Sequence, residues 1–153
     1  MQKCEFNKQE MTFVGYQVSP AGIGMDPAKI KSILEWPVPT SVKAVQSFLG
    51  FANWYRKFIN DYSCLATPLT TLTKKSVRFT WSDEVEAAFR SLQQAFTSAP
   101  ILRHYQPDLP LTVEADASDF ALGCVLSQPS PTGDLHPLCF YSRKFTPAEL
   151  VTR

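Results

Sequence analysis

The chain has 153 residues, with 15 Lys plus Arg against 14 Asp plus Glu and a formal charge of +1, an average that by itself argues against a nucleic-acid binder. With 44% hydrophobic and 19% charged residues, its composition excludes a disordered, collagenous or coiled-coil chain and fits one or two small globular domains. Twelve prolines predict many short elements separated by forced breaks.

Residues 11–18 (Met-Thr-Phe-Val-Gly-Tyr-Gln-Val) are β-branched and aromatic enough to predict a strand, ended by the turn chemistry of Ser19-Pro20-Ala21-Gly22. Asp26-Pro27 supplies an N-cap and a first-turn proline for a short helix through Ile30, Ile33 and Leu34, which Trp36-Pro37-Val38-Pro39 stops. Thr40 or Ser41 then caps the strongest helical pattern, with Val42, Val45, Phe48, Leu49, Ala52, Tyr55, Phe58 and Ile59 on one face. Gly50 inside that helix implies a close backbone approach or a break, because glycine there costs about 1 kcal/mol relative to alanine.

A turn-rich stretch follows from Leu65 to Thr73, and Ser82 caps a third helix whose apolar positions are Val85, Ala88, Phe89, Leu92, Ala95 and Phe96. Asp83, Glu84 and Glu86 in its first turn complement the positive end of the helix dipole. Beyond Pro100 the period changes to two. Leu111, Val113 and Ala115 alternate with Thr112, Glu114 and Asp116, and Phe120 to Ser127 and Leu135 to Ser142 predict two further strands of an antiparallel meander. The third of these strands is expected to present a free edge.

The four cysteines, Cys4, Cys64, Cys124 and Cys139, show no metal-ligand spacing, and His104 and His136 stand alone, so zinc is not expected. Cys124 and Cys139 lie in apolar strands, where packing is the expected role. The first eight residues lack the apolar core of a signal peptide, and no apolar run approaches the roughly 20 residues of a membrane span. These features point to an intracellular chain, cytoplasmic or nuclear, with reduced thiols and no membrane partner.

The average charge conceals a division along the chain. Residues 43–78 hold six basic residues (Lys43, Arg56, Lys57, Lys74, Lys75, Arg78) and one acidic residue, Asp61, while residues 79–142 hold two basic and eight acidic ones. The basic segment also carries Phe48, Phe51, Trp54, Tyr55, Phe58 and Tyr62. Lys and Arg that neutralise phosphates give sequence-independent, salt-sensitive binding, and exposed aromatics pack on sugars or bases. From spacing alone, aromatics in a core and charges on a solvated face is the more economical reading. The acids Glu114, Asp116 and Asp119 form a second cluster. Mg²⁺ sites use such carboxylates, although acids around a strand end more often serve solubility.

Phe13-Val14-Gly15-Tyr16-Gln17-Val18-Ser19, Ile33-Leu34-Glu35-Trp36-Pro37-Val38-Pro39-Thr40, and above all Val45-Gln46-Ser47-Phe48-Leu49-Gly50-Phe51-Ala52-Asn53-Trp54-Tyr55-Arg56-Lys57-Phe58-Ile59 resemble the end of the palm and the thumb of gypsy-type LTR retrotransposon reverse transcriptases. Pro68-Leu69-Thr70-Thr71-Leu72 and Thr97-Ser98-Ala99-Pro100-Ile101-Leu102 continue that resemblance in order. Asp116-Ala117-Ser118, Gly123, Val125-Leu126-Ser127-Gln128, His136-Pro137 and Tyr141-Ser142-Arg143-Lys144 resemble the opening strands of the attached ribonuclease H domain.

The resemblance implies an α+β fold: a strand-flanked helical thumb followed by an incomplete RNase H-like antiparallel meander. It divides the chain into the end of the palm with the primer-grip strand (1–25), the thumb and connecting helix (26–98) and the start of the ribonuclease H domain (99–153). It also implies that Phe13, Gly15 and Tyr16 lie beside the primer end. Lys43, Trp54, Arg56, Lys57, Lys74, Lys75 and Arg78 then face an RNA–DNA or DNA duplex backbone, held weakly and without sequence preference. Asp116 matches the first metal-binding aspartate of the ribonuclease H site, whereas Glu114 and Asp119 have no catalytic counterpart.

Mg²⁺ is implied for the complete parent enzyme, an RNA-directed DNA polymerase with ribonuclease H activity. No adjacent Asp-Asp pair occurs in this chain, and the family's ribonuclease H glutamate is expected beyond Glu149. The expectation is therefore a polyprotein fragment, partnered by the remaining polyprotein segments, that completes neither active site, binds no metal tightly and is inactive alone. The alternative is a retrotransposon-derived, non-enzymatic host protein that uses the face around Phe51 and Trp54 to bind a protein partner.

Overall fold

A computed structural model describes residues 4–151. The expected strand at residues 11–18 is instead a hairpin of β1 (Met11–Phe13) and β2 (Tyr16–Ser19), with Phe13 paired to Tyr16. The two residues between them, Val14 and Gly15, have φ of 50° and 81°. Positive φ at both positions is the pattern of a type I′ turn, whose twist matches that of the flanking strands. β3 (Gly22–Met25) pairs with β2 to complete a three-stranded antiparallel sheet.

Asp26 caps α1 (Pro27–Leu34) by accepting from the Ala28 amide at 3.0 Å, and Ser41 caps α2 (Val42–Trp54) by accepting from Ala44 at 3.2 Å. The expected continuation of α2 to Ile59 does not occur. The chain leaves helical geometry at Tyr55 and tightens into a 3₁₀ turn at Arg56–Phe58, which keeps Phe58 and Ile59 buried. Gly50 is exposed, and a Cβ built there meets nothing within 4 Å. It marks neither a break nor a close approach.

Two short helices, α3 (Tyr62–Leu65) and α4 (Thr67–Leu72), occupy the stretch whose Thr and Pro content suggested turns. Pro68 lies in the first turn of α4, where its missing N–H costs no helical bond. Ser82 caps α5 (Asp83–Thr97) as expected, at 3.3 Å to the Val85 amide. The core is built where these helices meet. Ile33, Val45, Phe48, Phe58, Leu69, Phe89, Leu92 and Phe96 are fully buried, with the Phe48 and Phe89 rings 4.7 Å apart. Burying each such side chain contributes about 1.5–3 kcal/mol. Gln93, also buried, donates to the Ile33 carbonyl at 2.8 Å and so satisfies the end of α1.

A second antiparallel sheet has the order β4 (Thr112–Ala117), β5 (Ala121–Pro129), β6 (Leu135–Lys144), and α6 (Pro147–Val151) follows it. Its register shifts at Leu126/Ser127, beside Pro137, and the bulge accommodates a residue without a ladder donor. The free edge lies chiefly at β4, whose residues 113–117 are all exposed, rather than only at β6, which packs against α3 and the 3₁₀ turn. Cys124 and Cys139 share one half-buried face of the sheet, and burial pushes the Cys139 thiol up.

Leu102 joins the two sheets. It exchanges backbone hydrogen bonds with Ile23 at 2.7 and 2.8 Å, and the next residue, Arg103, donates from its amide to the Pro137 carbonyl at 2.9 Å. On the helical side the Ser63 amide donates to Ser142 Oγ at 2.8 Å. Gly123 lies so close to the Asp61 carboxylate that a Cβ would overlap it. No described helix is long and apolar enough to cross a membrane.

Candidate nucleic-acid interface

The hairpin tip and the end of α2 form one aromatic assembly. Tyr16 stacks on Trp54 with ring centroids 6.0 Å apart, meets Tyr55 edge-on at 5.6 Å, and donates its hydroxyl to the Trp54 carbonyl at 3.2 Å. Tyr55 in turn donates to the Gly15 carbonyl at 3.2 Å. Burial raises both phenol pKa values, so both hydroxyls remain donors at neutral pH. Lys57 places its ammonium 4.1 Å above the Tyr16 ring, a cation–π contact that holds a positive charge beside the hairpin.

The outer side of this assembly is open. Phe13, Val14 and Trp54 are 61%, 55% and 54% exposed, which makes them surface rather than core. A groove of about 260 Å³ runs between Val14, Gly15, Lys29, Phe51, Trp54 and Tyr55. The aromatics of the basic segment therefore divide. Phe48, Tyr55, Phe58 and Tyr62 are core, Phe51 is half-buried, and Trp54 faces outward.

The basic residues divide as well. Lys43, Lys74, Lys75 and Arg78 are exposed, with Lys43 at the opposite end of α2 from Trp54, a separation of about 16 Å at 1.5 Å per residue. Arg56 points inward. Its guanidinium donates to Ser63 Oγ at 3.0 Å and to the Ser142 carbonyl, and lies 5.1 Å from the centre of the Tyr62 ring. That geometry gives Arg56 a role in joining the helices to β6. Lys144, on β6, is close enough to Lys74 that burial and the neighbouring ammonium together lower its pKa.

Asp116 is exposed on β4, opposite Gly123, and its Oδ1 accepts from the Ala117 amide at 2.9 Å. Among the described residues no three His, Cys, Asp or Glu side chains converge as a metal site. One carboxylate does not fit a two-ion magnesium site, which needs several converging oxygens.

Two antiparallel sheets bracketing a helical body, with a hairpin tip seated on its aromatic end, resemble part of the reverse transcriptase and ribonuclease H region of known structures. Residues 81–152 match the RNase H-like domain found in reverse transcriptase. The chain thus carries an RNase H-like domain of the reverse-transcriptase type, and its homologues are gypsy-type retrotransposon polyproteins. It is 38% identical over 148 residues to the transposon Tf2-3 and Tf2-4 polyproteins of Schizosaccharomyces pombe, covering 97% of this chain but only 11% of each polyprotein.

Among solved structures it resembles the foamy viral protease-reverse transcriptase in complex with RNA/DNA hybrid, with a TM-score of 0.79, 26% identity, and coverage of 97% of this chain and 20% of that one. A second foamy viral protease-reverse transcriptase structure, in complex with double-stranded DNA, has a TM-score of 0.78 at the same 26% identity, covering 94% of this chain and 25% of that one.

Sequence reasoning missed Lys29 and Lys144. Lys29 sits in α1, fifteen residues from the hairpin tip it approaches, and Lys144 lies in a strand seventy residues from Lys74. Only the tertiary fold reveals either neighbour.

Proposed function

We propose that this chain grips a primer–template duplex through the hairpin tip and the outer face of α2, within a longer polyprotein that performs RNA-directed DNA synthesis and ribonuclease H cleavage. The observation that carries the proposal is the exposed, aromatic and positive ledge formed by Phe13, Val14, Trp54, Lys29 and Lys57. Aromatic faces pack on sugars and bases, while ammonium groups neutralise phosphate without reading sequence. Lys74, Lys75, Arg78 and Lys144 form a second basic area for the same backbone, and Lys43 a third point of contact. Relatives of known structure bind double-stranded DNA and RNA/DNA hybrid, which supports the class of partner.

The test is a titration of a hybrid and of a DNA duplex at rising salt. Binding should weaken linearly in log–log form, and each of Lys57→Glu and Lys74→Glu should flatten the slope by about one or more phosphate equivalents. Affinity indifferent to salt and to both reversals would overturn the reading. Trp54→Ala should weaken duplex binding; intact duplex affinity with loss of a protein partner would favour the non-enzymatic host-protein reading.

Asp116 supplies one carboxylate, so no hydrolytic step is assigned to this chain, and the isolated polypeptide is expected to cleave neither strand of a hybrid in Mg²⁺. Hydrolysis abolished by Asp116→Asn would refute that.

A further inference from the structure

We propose that a cleft at the far end of the first sheet from Val14 is a phosphate-binding site. It forms where the β2–β3 turn at Pro20-Ala21, the connecting segment 103–109 and the β5–β6 turn meet, and encloses about 220 Å³. Both histidines of the chain, His104 and His136, line it together with Arg103 and Ser130. These residues come from separate stretches of sequence, and nothing in their spacing brings them together.

The arginine is left unengaged, and one of the histidines is held in a fixed orientation. Arg103 is anchored through its backbone amide, yet its guanidinium makes no hydrogen bond or ion pair among the described residues. The guanidinium of this lining residue therefore keeps its five N–H donors unpaired among the described residues. His104 Nε2 lies 2.7 Å from the Ser19 carbonyl. A carbonyl only accepts, so Nε2 carries the proton and the ring is fixed in orientation.

The floor is rigid. Gln128 is buried and clamps the connecting segment, accepting from the Gln106 amide at 2.9 Å and donating to the Gln106 and Leu109 carbonyls at 2.8 and 3.1 Å. Pro20, Pro129 and Pro131 stiffen the walls. The acids of the flanking turns, Asp108 and Asp134, do not line the cleft, and Asp134 is engaged by Thr132 Oγ1. An acid-free cleft lined by one arginine and two histidines, smaller than the roughly 300–1,000 Å³ of drug-sized sites, suits a single tetrahedral anion rather than a whole nucleotide. The phosphate comes either from a free phosphomonoester or from the backbone of a single strand leaving the duplex.

The experiment follows His Cε1–H and Arg Nε–H resonances of the full chain at constant pH and ionic strength. Inorganic phosphate is titrated in one arm and a short single-stranded oligonucleotide in the other. Saturable shifts of His104 and His136 with phosphate are expected, and Arg103→Gln should weaken binding by about tenfold, the size of a lost charge-assisted contact. His136→Gln should weaken it as well, and serves as the probe if Arg103→Gln impairs folding. Tighter binding of the oligonucleotide than of phosphate, lost in the same variants, identifies the strand as the source; equal or weaker binding identifies the free anion. Absence of saturable shifts in both arms, or affinity unchanged in both variants, would overturn the site. Duplex binding by Lys57 and Lys74 is measured independently, so failure of one reading leaves the other standing.

Discussion

Val14 has a β-branched side chain in a left-handed conformation, at φ 50°, where bulky residues are strained by about 1–3 kcal/mol. Its side chain is more than half exposed on the proposed duplex ledge, so no packing within the chain explains the choice. Val14→Asn, the residue a type I′ turn prefers, should stabilise the protein by about 1 kcal/mol in urea unfolding while weakening hybrid binding. Stabilisation with unchanged binding would show that the valine does not touch the duplex. Gly15 beside it is not replaceable in the same way, because a Cβ would collide with the Tyr55 hydroxyl. Gly50 is the opposite case. With open space around its Cβ position and helix on both sides, Gly50→Ala should add about 1 kcal/mol, read as a higher urea midpoint at unchanged slope. Tyr62 carries a buried hydroxyl with no hydrogen-bond partner among the described residues, and burial pushes its pKa up to about 12. Removing an unsatisfied polar group restores no lost bond, so Tyr62→Phe should be neutral or stabilising by about 1 kcal/mol.

Helices α1, α2 and α5 were readable from sequence because each declares its own start with Asp26, Ser41 or Ser82 and repeats its apolar face over several turns. β1 and β2 were not separable, because Val14-Gly15 lacks the asparagine or aspartate that usually announces such a turn. α3 and α4 are too short for periodicity to show, and tertiary packing of Leu69 and Leu72 holds them. The interface was readable as a set of residue types but not as a surface. Arg56 and Lys57 are adjacent in sequence, yet one turns into the junction with β6 and the other lies over Tyr16.

α6 is a further element whose start is locally encoded. Thr146 and Glu149 form a reciprocal capping box, and Arg143 donates twice to Glu149, at 2.7 and 2.8 Å. The Arg143 bonds, and then the Thr146 amide, lower the Glu149 carboxyl to about 2 from an ordinary 4.5. A depressed folded-state pKa means this tie is fully present above pH 4.5 and is lost as pH falls through about 2. Titration of the Thr146 amide shift should therefore report a midpoint near 2, and a midpoint near 4.5 would show that the box does not form.

At the scale of the whole molecule, a small buried polar junction ties the second sheet to the helical body, beside the packing of Phe140 against the core. Arg56, Ser63 and Ser142 satisfy one another there: the guanidinium reaches Ser63 Oγ and the Ser142 carbonyl, and Ser142 Oγ bridges to the Ser63 amide and hydroxyl. Because Ser63 and Ser142 are both buried, removing the arginine takes the charged donor away from the Ser142 carbonyl and leaves Ser63 Oγ with only the Ser142 hydroxyl, in a region water reaches poorly. Arg56→Met keeps most of the side-chain volume and should cost about 2–3 kcal/mol, the range for charge-assisted hydrogen bonds together with exposed desolvated partners. Ser63→Ala alone should cost about 1 kcal/mol. Since both side chains act in one network, the double variant should lose less than the two single losses together, with a coupling of at least about 0.5 kcal/mol. If the losses simply add, Arg56 acts elsewhere, and the outward-facing role that its place in the basic segment suggests becomes the better account.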